Sequence, residues 1–103
     1  MSFRVDIETS TLKNNSFRKI LYTTDDMQLV LMSLEPYEEI GMEEHDGTQF
    51  IRIEEGNGRA VVKGKNYVLR DGVAIMIDAF TKHNVIAGSE GLKLYTLYSP
   101  PQH

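Results

Sequence analysis

The sequence contains no cysteine and no tryptophan among its 103 residues. The absence of cysteine excludes disulfide bonds, thiolate metal ligands and cysteine nucleophiles. Long apolar runs are also missing, since the longest covers residues 73–77 and a membrane-spanning helix needs about 18 residues. The first residues do not form a basic segment followed by an apolar one, as a signal peptide would. We therefore expect a cytoplasmic protein with no membrane partner.

Positive charge is scarce as well, with 11 Lys and Arg against 15 Asp and Glu and a net charge of −4. Such a chain repels phosphate backbones, so nucleic acid is not an expected partner. A chain of this length fits one domain, residues 1–103. It can build a core without disulfides or other cross-links.

Turn-forming residues recur every seven to nine positions from Gly47 onward, a frequency that excludes long helices. The predicted turns and breaks are at 47, 56–58, 64–65, 71–72, 78–82 and 88–91. The predicted strands between and before them are 18–23, 28–34, 50–53, 59–63, 67–69, 73–77, 83–86 and 92–98. Short strands separated by such turns predict an all-β sandwich or barrel. Eight or nine strands favour a jelly roll, which can hold a ligand inside.

The pattern of the first residues does not clearly separate a strand from a helix. Val5, Ile7 and Thr9 alternate with polar residues, so a strand over residues 3–12 is favoured, with a helix as the alternative. Residues 11–17 are rich in Asn and Ser and are expected to form a loop.

Residues suited to metal binding recur on one face of the predicted barrel. Glu43 and His45 alternate along an extended segment, so both should point to the same side, opposite to Met42. After a tight turn, Gln49 opens the next strand and should return its amide toward the same cavity. His83 begins a later strand, directly after the break at 78–82.

The spacing of these residues resembles the first motif of the cupin superfamily, G-x5-H-x-H-x3-4-E-x6-G. The sequence contains Glu43-x-His45-x3-Gln49-x6-Gly56. Glutamate thus replaces the first histidine and glutamine replaces the glutamate, so the motif keeps one carboxylate in a different position.

The second cupin motif, G-x5-P-x-G-x2-H-x3-N, resembles residues 72–87. Gly72 and His83 match, whereas Asp78, Phe80 and Ala87 replace proline, glycine and asparagine.

Further stretches, at 16–22, 28–34, 53–56 and 94–101, are similar to a group of small single-domain prokaryotic cupins in which Glu-x-His followed by Gln is common. The resemblance implies a cupin jelly-roll barrel with a divalent metal ion bound by Glu43, His45, Gln49 and His83. Two imidazoles and a carboxylate suit Mn, Fe, Co, Ni or Zn, and the residue types alone do not identify the metal.

Each of these residues also has a structural alternative. His83 could be a barrel-mouth histidine whose hydrogen bonds go to the backbone. Glu43 could be one solvated acid in an acidic segment, and Gln49 could hold an imidazole or a water instead of the metal. The chain-end His103 is left out of the site.

The first functional hypothesis is a metal site that performs Lewis-acid or redox chemistry on a small oxygen-bearing molecule. No residue is assigned as catalytic, although Glu43 and tyrosines at the barrel mouth are candidate bases. The alternatives are a module that binds or senses a small ligand or metal without turnover, and a barrel with an empty cavity. We also expect a homodimer, in which a second copy covers Ile40 and Met42 on the face opposite to His45.

Overall fold

The structure is a computed structural model that describes residues 2–102, so His103 lies outside the described residues. Within this range the chain forms one helix and six strands, all paired antiparallel. They are α1 (Ile7–Lys13), β1 (Lys19–Thr23), β2 (Gln28–Leu34), β3 (Thr48–Val62), β4 (Lys65–Arg70), β5 (Ala74–Ile77) and β6 (His83–Ser99). This composition confirms the predicted all-β class. No helix in residues 2–102 is long and apolar enough to cross a membrane.

The long strands β3 and β6 organise the sheet, whose order is β1-β2-β6-β3-β4. The first half of β3 also pairs with β5, and its second half pairs with β4. Register shifts between Ile53 and Glu55, and again between Gly56 and Gly58, divide β3 into these halves. Buried side chains from β2 to β6 form one core cluster, so both halves of β3 pack on the same interior.

The predicted hairpin turn at 56–58 and the predicted break at 88–91 are both wrong, because these residues lie inside β3 and β6. Gly56 has a φ of 114°, and a Cβ there would collide with the carbonyl oxygen of Gly91. These glycines therefore allow a bulge and a close backbone approach instead of a chain reversal. As a result, two pairs of predicted strands merge, and the eight predicted strands become six.

The strand expected over residues 3–12 is also wrong, because the chain forms helix α1 there. The Asp6 carboxylate accepts a hydrogen bond from the Thr9 N–H at 3.0 Å and caps the first turn. The loop expected over residues 11–17 begins only at Asn14, where the helix ends.

Candidate metal centre

A β-bridge places Glu43 directly beside His83. The Glu43 N–H donates to the His83 carbonyl at 2.8 Å, and the His83 N–H donates to the Glu43 carbonyl at 2.9 Å. Side chains of directly opposed residues in an antiparallel pair lie on the same face. The two side chains are therefore neighbours, although 40 residues separate them in the sequence.

The same short pairing contains a bulge that the sequence did not reveal. The Ile40 N–H donates to the Val85 carbonyl at 2.9 Å, so the three-residue step to Glu43 lies opposite the two-residue step to His83. Gly41 supplies the extra residue with a φ of 105°, a conformation that favours glycine. One extra residue reverses the alternation and puts Ile40 on the same face as Glu43.

This bulge corrects the expectation that Ile40 and Met42 share the face opposite to His45. Ile40 packs against the core and lines the same pocket as Glu43 and His45. Met42 does point away, with 64% of its surface exposed. Ile40 is therefore part of the site pocket and is not an exposed residue that a second copy could cover.

Three of the predicted site residues converge. Glu43, His45 and His83 each offer a donor atom, and these atoms all lie within 4.8 Å of one another. The His45 Nε2 lies 3.8 Å from the Glu43 Oε2, and the centroids of the two imidazole rings are 5.3 Å apart. Metal bonds of about 2.0–2.2 Å span at most about 4.4 Å between two donors. A small side-chain movement therefore brings all three to one ion.

The hydrogen bonds of His83 determine which of its nitrogens is free. Its Nδ1 lies 2.8 Å from the Thr81 carbonyl oxygen, which can only accept, so Nδ1 carries the proton. The Nε2 therefore has a lone pair. This atom is buried and has no hydrogen-bond partner within residues 2–102, as is also true of the His45 Nε2. Two unpartnered imidazole nitrogens beside a carboxylate fit a divalent ion.

Gln49 is buried, with 2% of its surface exposed. The Thr96 hydroxyl donates to the Phe50 carbonyl at 2.9 Å, so it must accept from the Gln49 Nε2 at 3.0 Å. This chain of hydrogen bonds fixes the amide orientation and leaves the Gln49 Oε1 buried without a partner in the described part of the chain. Gln49 is paired with Tyr98 across β3 and β6, so its side chain shares the face of that ring.

Phe80 stands where the cupin motif has glycine. The backbone conformation at this position explains why the motif prefers glycine there. Its φ of 60° is left-handed, a conformation that costs glycine little and phenylalanine more. The Phe80 N–H donates to the His45 carbonyl at 2.7 Å, which ties the 78–82 turn to the His45 backbone. Phe80 as a whole is 68% exposed.

A pocket of about 280 Å³ opens beside Glu43 and His45. Its other lining residues are Phe17, Arg18, Met32, Ile40, Tyr98 and Gln102. Sequence reasoning did not single out Arg18 or Tyr98, because strand register and the path of the chain before β1 bring them here.

The Tyr98 ring meets the His45 ring edge to face, with centroids 5.1 Å apart. Burial raises the pKa of the Tyr98 phenol above its ordinary value, and the charge of Glu43 adds to the rise, while Arg18 opposes it. The phenol is therefore protonated at neutral pH and can donate a hydrogen bond.

The sequence and the structure of this chain are both similar to those of known proteins. The profile of the cupin domain family matches residues 30–98. A solved structure, BH2720 from Bacillus halodurans, is 40% identical and superposes with a TM-score of 0.96 over 100% of this chain and 84% of its own. These similarities confirm the predicted all-β jelly-roll class.

Two curated relatives are similar along almost the whole chain. The uncharacterized protein L612 of Acanthamoeba polyphaga mimivirus is 46% identical over 106 residues, covering 96% of this chain and 66% of its own length. The uncharacterized protein YrkC of Bacillus subtilis is 43% identical over 109 residues, covering 98% of this chain and 59% of its own. The chain thus spans about two thirds or less of the curated relatives that it matches.

Proposed function

Since the chain belongs to the cupin family, we propose that Glu43, His45 and His83 hold one divalent metal ion that binds a small oxygen-bearing molecule. The observation that carries this proposal is the meeting of three donor atoms within 4.8 Å, two of them on imidazoles whose Nε2 atoms are buried and unpartnered within residues 2–102. Leaving such atoms without a partner is costly unless a ligand satisfies them.

Gln49 supplies the fourth donor in this proposal, through its Oε1. That oxygen is buried and oriented by the Thr96 hydroxyl, and it has no hydrogen-bond partner among residues 2–102. A neutral carbonyl oxygen adds no charge, so the site has the single negative charge of Glu43. Two nitrogens and two oxygens suit Zn, Mn, Fe or Ni.

Held by Glu43, His45 and His83, a divalent ion would supply Lewis acidity toward an oxygen-bearing ligand. The chain contributes the surroundings: the pocket admits a small molecule beside Glu43 and His45, and Tyr98 presents a protonated phenol next to them. Tyr98 is thus the residue placed to donate a hydrogen bond or a proton to a bound oxygen. The expected absence of nucleic-acid partners and the cytoplasmic location stay predictions.

The metal site is tested by loading tag-free protein with zinc, manganese, iron or nickel and measuring the bound metal by elemental analysis. We expect one equivalent of metal per chain for at least one of the four. His45→Ala and His83→Ala each remove a nitrogen donor, and we expect each to weaken metal binding by at least about a hundredfold.

A matched pair of substitutions distinguishes the loss of a metal ligand from the loss of one negative charge near the site. Glu43→Gln removes the proposed carboxylate ligand, whereas Glu44→Gln removes an equal charge from an exposed neighbour on the other face. Only the Glu43 change should lower the metal affinity. Equal effects of the two substitutions, or folded wild-type protein that binds none of the four metals, would contradict the proposal.

A further inference from the structure

We propose that Arg18 makes the pocket selective for small organic acids, with the carboxylate of the ligand bound to the guanidinium and another ligand oxygen bound to the metal. This inference rests on the proposed function and names the ligand class of that site. Arg18 is the only Lys or Arg that lines the pocket in the described part of the chain.

The charges around the pocket favour an anion. Glu43 is the only acidic residue among the lining residues that the structure describes, and in the proposed site its charge is offset by the metal. Arg18 then adds a positive charge, and it takes part in no ion pair among residues 2–102. A bound cation and an unpaired guanidinium in one small cavity attract a negatively charged ligand.

The size and lining of the pocket limit the rest of the ligand. Its 280 Å³ corresponds to the volume of roughly nine liquid water molecules, so the ligand is small. Phe17, Met32 and Ile40 form apolar walls that would desolvate a second charged group without pairing it. A single carboxylate on a short carbon chain with a hydroxyl or oxo oxygen fits these limits.

Arginine suits this role because its planar guanidinium binds both carboxylate oxygens at once. Arg18 directly precedes β1 and is exposed, so its side chain can turn toward a ligand without disturbing the core. Tyr98, on the same pocket wall, adds a phenol O–H donor that the ligand can also use.

The test is calorimetric titration of zinc-loaded protein, first with a panel of two- to five-carbon 2-hydroxy and 2-oxo acids, including lactate. Each acid is compared with its uncharged amide, as lactate with lactamide, which keeps the shape and loses the charge. We expect at least one acid to bind at least about tenfold more tightly than its amide. Arg18→Gln should abolish most of that preference while leaving zinc affinity unchanged.

The control is Arg59→Gln, which removes the same charge from an exposed arginine in a different surface groove. It should leave the preference for the acid intact. If zinc binds but no acid exceeds its amide, or if Arg18→Gln and Arg59→Gln behave alike, the assignment of Arg18 is wrong and the metal site stands. If zinc does not bind, the titration uses whichever of manganese, iron or nickel does bind. If none of the four metals binds, the proposed function fails first.

Discussion

At the scale of single residues, the site depends on hydrogen bonds that fix one atom of a side chain and leave another free. Thr81 holds the proton of His83 on Nδ1, and Thr96 holds the amide of Gln49. The sequence could predict the residue types and their spacing through the resemblance to the cupin motifs. It could not predict these orientations, because each depends on a partner that only the fold brings close.

Tyr98 carries a prediction that concerns stability. Its pKa is raised above 10.0, chiefly by burial and then by the charge of Glu43. Below pH 10 the phenol is protonated in both the folded and the unfolded chain. Above it the unfolded chain releases the proton while the folded chain keeps it, so the free energy of unfolding falls as pH rises, by at most about 1.4 kcal/mol per pH unit.

Urea unfolding at pH 8 to 11, in the presence of EDTA, measures this dependence. Tyr98→Phe removes the titrating group, and we expect its free energy of unfolding to fall less steeply above pH 10 than that of the wild type. Tyr67→Phe removes the phenol of a residue that is 39% exposed and provides the comparison. Identical slopes for wild type and Tyr98→Phe would show that the buried phenol does not contribute.

At the scale of elements, glycine was the residue most easily misread. The sequence pattern around 56–58 and 88–91 predicts turns, since glycine most often marks them. In the structure Gly56 and Gly91 instead allow two strands to approach closely. The alternation of Val5, Ile7 and Thr9 likewise favoured a strand over the alternative helix, whereas the chain forms helix α1 with Asp6 as its N-cap.

Gly56→Ala tests the close approach of the β3 and β6 backbones at Gly56 and Gly91. The new Cβ adds left-handed backbone strain and a collision with the Gly91 carbonyl oxygen, for which we expect a loss of about 3 kcal/mol in the free energy of unfolding. Gly64→Ala is the matched control, since Gly64 has a φ of 78° but nothing within 4 Å of its added Cβ. Its cost should be that of the backbone alone, about 1 kcal/mol. Chemical denaturation measures both losses. If the two variants lost the same free energy of unfolding, the collision with Gly91 would not contribute.

At the scale of the whole molecule, the sequence predicted an all-β barrel, and the turn at 78–82 just before His83 is where it was expected. Side-chain convergence was predicted for Glu43 and His45 from simple alternation. Ile40 broke the same rule because of the bulge at Gly41. Local patterns therefore predict strands and neighbours along one strand, whereas bulges and long-range register decide what surrounds the site.

The homodimer stays a prediction, but the structure changes the surface on which we expect it. Ile40 is no longer available, and Met42 is a single exposed side chain beside acidic Glu44. A different groove has two exposed apolar side chains in its lining: Val68 of the edge strand β4, which is 71% exposed, and Tyr37 of the turn after β2, which is 72% exposed. Edge strands with exposed apolar side chains favour pairing with another chain.

Light scattering at tens of micromolar protein tests this prediction, with twice the mass of one chain as the expected result. Val68→Lys places a charge in the groove and should give monomers, because a lysine buried in a two-fold interface faces its own copy without a counter-charge. Met42→Lys introduces the same charge outside the groove and should leave the dimer intact. Monomeric wild-type protein would refute dimerisation. If only Met42→Lys gave monomers, the interface would be at Met42, as the sequence predicted, and not at the groove lined by Val68.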